Sequence, residues 1–334
     1  MTSTDTRVTG ATPSRRAPES PRKPLERPRV FTRLAGACFT GHLALIAFST
    51  VAMVTVLNGP PGPFLTAEPN ATVMRLGWQY SGPTYVVLGG LAALTHAMGR
   101  AGPARAMGMM LAAATITLGA ELLGTGTGLP FGEYHYSGLL GYRIGGLVPF
   151  PIPISWFYML YACLAMCGRL LHVSDSNRAK WRWSLVAALC LVAWDVSMDP
   201  AMVKTAHWTW GAGEQFRNHG LPAWIVTFFT RDMFYGMPLS NWGGWFLTGL
   251  VVSRAMLAIV PPSVFASRIA PTRLPIALYA ANGVMPVVLC FRDGLLWAGV
   301  LGVLAMAIPV TLSMGLPRQK RTAQPAPGAE PALL

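Results

Sequence analysis

The sequence predicts an all-α protein, a polytopic transmembrane helix bundle of about eight spans. Three observations carry that expectation. Hydrophobic residues make up 52% of the 334 residues and charged residues only 12%, about half the charged share usual in soluble globular proteins. Apolar runs of membrane-spanning length recur along the chain, and most Lys and Arg lie in the tails and short connectors between them. The formal net charge of +13 would suit nucleic acid, but nucleic-acid binders gather their bases on dense charged faces. Nucleic acid is therefore not an expected partner.

Taken in order, residues 1–33 are rich in Pro, Arg, Ser and Thr and read as a disordered basic tail. No apolar run follows Arg15-Arg16 closely, so that pair belongs to the tail and is not a twin-arginine export signal. Residues 34–317 form one transmembrane domain, and 318–334 a second disordered, Pro/Ala-rich tail. Candidate spans fall at roughly 35–57, 80–98, 106–124, 153–171, 183–202, 237–259, 274–292 and 294–314. Each is about 20 residues long, enough to cross a hydrocarbon core of about 30 Å. Seven or nine spans also fit. Leu221–Phe229 is apolar but too short to cross, and reads as an interfacial or re-entrant piece.

An even span count puts both tails on one side. With both termini cytoplasmic, twenty Lys and Arg fall inside and six outside, the bias expected of an integral protein of a bacterial cytoplasmic membrane. Trp181 and Trp183 then sit at the inner interface, and Trp208 and Trp210 at the outer one, as aromatic belts. The outer connectors 125–152 and 203–236 are long and carry Gly, Tyr, Trp, His and Glu, whereas the inner ones are short and basic. A site is expected on the outer side.

Acidic residues inside a membrane cost about 2.5–3.5 kcal/mol each on insertion scales, so each needs a partner or a purpose. Glu121 lies in the third span, Asp195 and Asp199 in the fifth. At 1.5 Å per residue they lie about 22, 18 and 24 Å from the inner ends of their spans, in one slab of the outer half. Asp195 and Asp199 are four apart and share a helical face. Pro200 follows, and is expected to fray or kink the helix there. A carboxyl group short of water holds its proton more tightly and can then act as an acid. The structural alternative is that these acids pair with Arg143, Lys204 or Arg231, or cap helix ends.

Other chemistries fit less well. The six His residues are scattered, without the clustered boxes of a di-iron site, and His42 and His96 read as helix-packing residues. The five Cys lie inside apolar runs without a CxxC, so neither a disulfide framework nor zinc is indicated, and Cys163 and Cys167 read as core. Asp195 and Asp199 form one sparse pair, not the two aspartate-rich motifs of an intramembrane prenyltransferase. The Gly124-Thr-Gly126-Thr-Gly128 run ends a membrane helix instead of following a strand, so it reads as a helix exit and not a nucleotide loop. No metal and no cofactor are expected.

Three motifs carry a resemblance. The first runs from Glu121 through Gly124, Pro130, Phe131, Gly132, Tyr134 and Tyr136 to Trp156. The second is Ala193-Trp194-Asp195 with Asp199-Pro200, Met202, Trp208 and Trp210; the third is Tyr235-Gly236, Pro238, Asn241-Trp242 and Gly244-Trp245. Over roughly residues 80–315 the chain resembles the carotenoid biosynthesis family of integral membrane hydratases. Members add water across the terminal 1,2 (or 1′,2′) double bond of acyclic or monocyclic carotenoids, including bisanhydrobacterioruberin and γ-carotene. The resemblance implies a cofactor-independent hydro-lyase whose partners are a lipid-soluble carotenoid, water, membrane lipid and other carotenoid enzymes. The stretch between Trp210 and Tyr235 is longer than the family pattern. Individual catalytic residues are not implied by the resemblance and rest on the residues themselves.

Hydrating a terminal trisubstituted alkene needs a proton on C2, water on C1 and stabilisation of the tertiary cation between those steps. One carboxyl of the Asp195/Asp199 pair is expected to donate the proton, with its partner or Glu121 orienting water and taking up its proton. Trp156, Trp194, Trp245, Tyr134 and Tyr136 are the candidates to face the cation, at about 0.5–2 kcal/mol each. Asn241 is the candidate to bind water. Three rivals stay open at this stage: a proton-coupled transporter, a lyase or cyclase acting on another isoprenoid, and a non-catalytic subunit of a carotenoid-synthesising complex.

Overall fold

A computed structural model of the protein describes residues 29–56, 62–213, 216 and 220–315. The expected tails therefore lie outside the described residues, except that Arg29–Arg33 already belong to the first helix. Eight long helices match the eight expected spans: α1 (Arg29–Val56), α2 (Asn70–Ala101), α3 (Pro103–Thr127), α4 (Pro151–Leu170), α5 (Asn177–Lys204), α6 (Leu239–Ile259), α7 (Leu274–Arg292) and α8 (Leu296–Gly315). Seven are long and apolar enough to cross a membrane, and α2 is the exception. Small residues dilute its apolarity, and they sit where membrane helices approach closely. Ala92, Ala93 and Ala97 are fully buried, and a Cβ on Gly90 would come within 2.3 Å of Ile154 on α4.

Burial sorts the helices into a centre and a rim. In their most apolar stretches 78% of the residues of α4, 67% of α5 and 61% of α7 are buried, against 22% in α1 and 28% in α3 and α8. The central helix α4 packs on α2, α3, α5 and α7, while α1 packs mainly on α2. Both histidines expected to pack helices do so. His42 Nδ1 lies 2.7 Å from Tyr85 O and its Nε2 3.1 Å from Asn282 Nδ2, joining α1 to α2 and α7. His96 contacts Tyr161 Oη at 2.6 Å and Thr272 Oγ1 at 2.9 Å. Cys163 and Cys167 are buried, as expected of core residues.

The ends of the bundle differ. One is closed by short connectors. There Ser176 accepts the Ala179 N–H at 3.3 Å and caps α5. Arg169 donates to the carbonyls of Ala270, Thr272 and Ser313 at 2.6, 3.1 and 3.2 Å, fastening α4 to the start of α7 and the end of α8. Trp181 lies at this surface, 5.5 Å from the Arg254 guanidinium. Trp183 does not belong to a belt: it is buried and donates to His172 O at 3.3 Å.

At the other end the two long connectors build a lid. Strand β1 (Tyr134–Tyr136) pairs antiparallel with β4 (Trp208–Trp210). Hairpin β2–β3 (Arg143–Ile144 and Val148–Pro149) precedes α4, and hairpin β5–β6 (Asp232–Phe234 and Met237–Pro238) precedes α6. Tyr235 and Gly236 both have positive φ, 52° and 90°, and make the tight turn between β5 and β6. The apolar piece expected at 221–229 is a short helix, Ala223–Thr230, lying against α6 and β6 with no buried residue. The sequence suggested a fray or a kink at Pro200, and of these α5 shows no fray. It runs on to Lys204 because Pro200, Ala201 and Met202 are buried and Thr205 N–H closes the last turn on Ala201 O at 3.1 Å.

Candidate active site

Glu121 lies near the end of α3, Asp195 and Asp199 near the end of α5, and Asn241 in the first turn of α6. The antiparallel helix order brings these ends together under the lid. All three carboxyls are buried, at 3%, 0% and 2% exposure for Glu121, Asp195 and Asp199, and they lie within electrostatic range of one another. Among the described residues no Lys or Arg nitrogen lies within 4.0 Å of any of them. The expected alternative, pairing with Arg143, Lys204 or Arg231, is not what is observed. Arg143 is exposed and donates to Tyr136 O at 3.1 Å.

The carboxyls are instead held by neutral donors. Glu121 Oε2 accepts from Tyr134 at 2.5 Å and Tyr136 at 2.9 Å, and its Oε1 accepts from Trp156 Nε1 at 3.0 Å. Asp199 Oδ1 accepts from Trp208 Nε1 at 2.7 Å and Oδ2 from Trp210 Nε1 at 3.2 Å. Asp195 Oδ2 accepts from Asn241 Nδ2 at 3.1 Å, and its Oδ1 has no partner. Burial, with the nearby Glu121 charge second, pushes the Tyr134 phenol well above its ordinary value. Tyr134 therefore keeps its proton and remains a donor.

The β1–β4 ladder explains how four of these donors reach two carboxyls. Tyr134 is opposite Trp210 and Tyr136 opposite Trp208, and residues two apart on a strand share a face. All four rings therefore point the same way, with His135 and Thr209 exposed on the other face. Centroid distances of 5.4 Å for Tyr134–Trp210 and 5.8 Å for Tyr136–Trp208 show each cross-strand pair in ring contact. Gly124 makes room for Tyr134 over the last turn of α3: a Cβ there would sit 2.7 Å from Phe131 and 2.8 Å from Tyr134 Oη.

A cavity of about 890 Å³, mouth included, lies beneath the ladder. Eight of the nine expected site residues line it: Glu121, Asp199, Trp156, Trp194, Tyr134, Tyr136, Asn241 and Trp245. Asp195 is the ninth and stands behind the wall, one helical turn from Asp199. Trp156 stacks on Trp245 at 4.4 Å, and Trp194 meets Trp245 edge-on at 5.8 Å. Trp194 Nε1 donates to Asn282 O at 2.9 Å, so its ring is fixed by α7.

Several lining residues escaped the sequence reading. Trp208 and Trp210 were expected in an outer belt, yet both line the cavity and hold Asp199. The signal was present: an alternating Trp-x-Trp nine residues after an intramembrane Asp, matching the alternating Tyr-x-Tyr after Glu121. Phe131, Met198, Met202, Tyr158 and Asn282 also line the cavity. Phe131 and Met202 stand in the motifs but carry no polar group to mark them as lining, and Met198, Tyr158 and Asn282 lie inside membrane helices without a distinguishing pattern.

Fold and site together define a polytopic membrane protein with a lidded, aromatic-walled cavity that presents carboxyl groups, with no Lys or Arg paired to them among the described residues. The chain belongs to the family described as carotenoid biosynthesis protein, whose profile matches residues 81–309. It is 30% identical over 148 residues to a protein of Haloarcula japonica named bisanhydrobacterioruberin hydratase, a match covering 44% of this chain and 43% of that protein. No solved structure matches the chain.

Proposed function

We propose that this protein is a membrane-embedded hydratase that adds water to the terminal 1,2 (1′,2′) double bond of an acyclic or monocyclic carotenoid. The observation that carries the reading is the meeting of Glu121 and Asp199 on the wall of one aromatic cavity. The family match and the name of the Haloarcula relative support a carotenoid substrate and a hydration reaction. The distribution of Lys and Arg supports an orientation with both ends on the cytoplasmic side.

The residues divide the chemistry as follows. With no Lys or Arg paired to them among the described residues, the carboxyls are arranged so that one can serve as the acid and another as the base. Asp199 faces the cavity and gives its proton to C2 of the alkene, leaving a tertiary cation at C1. Trp156, Trp245, Trp194, Tyr134 and Tyr136 present ring faces or edges to that charge, at about 0.5–2 kcal/mol for each face that meets it. Water adds to C1, and its proton passes to Glu121, where Tyr134, Tyr136 and Trp156 have already fixed the acceptor oxygens. The product is a tertiary alcohol. Asn241 binds the water on the cavity side, and Asp195 sets the orientation of Asn241 and the charge beside Asp199. Water addition changes no oxidation state, so the scheme calls for no redox cofactor.

The test is expression in a lycopene-producing bacterium, with pigment mass as the readout. A gain of one water per modified end is expected. Unchanged pigment beside intact, membrane-inserted protein overturns the reading.

A further inference from the structure

A second cavity of about 550 Å³, its open mouth included, lies between α1 and α2, beneath the lid. Its walls include Phe48, Met53, Met74 and Trp78, and it shares Tyr85 and Met285 with the main cavity. The two spaces are therefore neighbours that meet at these two side chains. α1 is a rim helix, and the first half of α2 exposes Val73, Leu76, Trp78 and Tyr80. The second cavity thus sits on the side of the bundle that faces lipid, whereas the carboxyls sit inside it.

We propose that this second cavity is the binding corridor for the polyene chain, which passes Tyr85 and Met285 so that only its terminal isopropylidene group reaches the carboxyls. The inference rests on the hydratase reading for the identity of the substrate as a long polyene. A chain long enough to span a hydrocarbon core of about 30 Å cannot be held whole beneath a lid at one end of the bundle. It must leave through a wall, and Tyr85 and Met285 belong to the walls of both cavities. The lining chemistry fits. Aromatic rings and methionine thioethers are polarisable and pack on a conjugated chain, and methionine adapts its shape to an irregular occupant. Ala52 and Ser81 line the corridor with small side chains. Gly77 gives the Phe48 ring room to pack against α2, since a Cβ there would come within 2.6 Å of it.

The experiment uses the full chain in membranes and two substrates, lycopene and farnesol. Both end in the same isopropylidene group, but farnesol is less than half as long. Ala52→Phe and Ser81→Phe block the corridor from opposite walls. Each is expected to lower lycopene hydration at least tenfold and to leave farnesol hydration within twofold of wild type. Equal loss of both substrates, or no loss of lycopene hydration, overturns the proposal. A benzophenone side chain at position Met74 gives a readout independent of turnover. It is expected to crosslink lycopene several-fold more than one at Leu312, which is exposed on α8. Equal crosslinking at the two positions also overturns the proposal. Selective crosslinking at Met74 in a protein that never hydrates its pigment supports the corridor and removes the hydratase reading.

Discussion

Tyr134 and Trp210 are register partners across the β1–β4 ladder, yet their polar hydrogens go to different carboxyls, Tyr134 to Glu121 at 2.5 Å and Trp210 to Asp199 at 3.2 Å. The ladder therefore couples α3 to α5 through two side chains in ring contact. Removing a single donor tests what that coupling does. Tyr134→Phe keeps the ring and leaves Glu121 with Tyr136 and Trp156. Turnover is expected to fall by up to about 100-fold, the cost of misplacing a catalytic group by about 1 Å. Stability should fall by about 1 kcal/mol, as for one hydrogen bond. Trp208→Phe, which loses the 2.7 Å bond to Asp199, should cost more turnover than Trp210→Phe. Product yield per inserted protein, compared across the three variants, checks the order.

The carboxyls should not be equivalent. Asp199 and Glu121 line the cavity, whereas Asp195 stands behind its wall with one oxygen unpartnered. Asp199→Asn and Glu121→Gln are expected to lower turnover at least 1,000-fold, since each removes a proton-transfer group and also misorients the donors around it. Asp195→Asn should lose only about tenfold, through Asn241 and the changed charge beside Asp199. Comparable losses at all three positions would mean that Asp195 shares in the proton transfer itself.

How much of this could be read from the residues differs by level. Helix count was legible because seven of the eight long helices announce themselves by composition, whereas α2, diluted by small residues, begins ten residues before the expected 80. The common depth of Glu121, Asp195 and Asp199 was legible because helical rise is fixed at 1.5 Å per residue. Which carboxyl faces the cavity was not, because that depends on helix rotation, which tertiary packing sets. The role of Trp208 and Trp210 was misread for a related reason. Tryptophan near a membrane surface is ordinary, and only the pairing of β4 with β1, more than 70 residues apart in sequence, turns both indoles inward. Pro200 misled in the other direction, since buried neighbours hold the last turn of α5 that local preference would release.

His207 offers a pH test outside the spans. It follows α5 in the lid, and Thr205 Oγ1 contacts its Nδ1 at 2.8 Å. Burial pushes it down to about 4, whereas an unfolded His titrates near 6.5. Between those values the unfolded chain binds the extra proton and the folded one does not, so stability rises with pH through this window. The contribution is fully present above about 6.5 and is lost as pH falls towards 4. The melting temperature in detergent should therefore drop on acidification from pH 7 to 4.5, and His207→Gln should reduce that drop. An unchanged slope in the variant would show that His207 is protonated in the folded protein.

Two glycines on α3 separate fold from chemistry. At Gly126 an added Cβ meets nothing within 4 Å, so Gly126→Ala is expected to stabilise the helix by up to about 1 kcal/mol and leave turnover unchanged. At Gly124 the same methyl would press on Phe131 at 2.7 Å and Tyr134 Oη at 2.8 Å. Overpacking of that kind costs about 1–3 kcal/mol, partly offset by the same gain of about 1 kcal/mol in helix propensity. Net stability should therefore fall by no more than about 2 kcal/mol. Turnover should fall at least tenfold, because Tyr134 must move off Glu121 to relieve the contact. Paired measurements of melting temperature and product yield distinguish the two variants. A Gly124→Ala protein with normal turnover would show that the Tyr134–Glu121 bond has no part in the reaction.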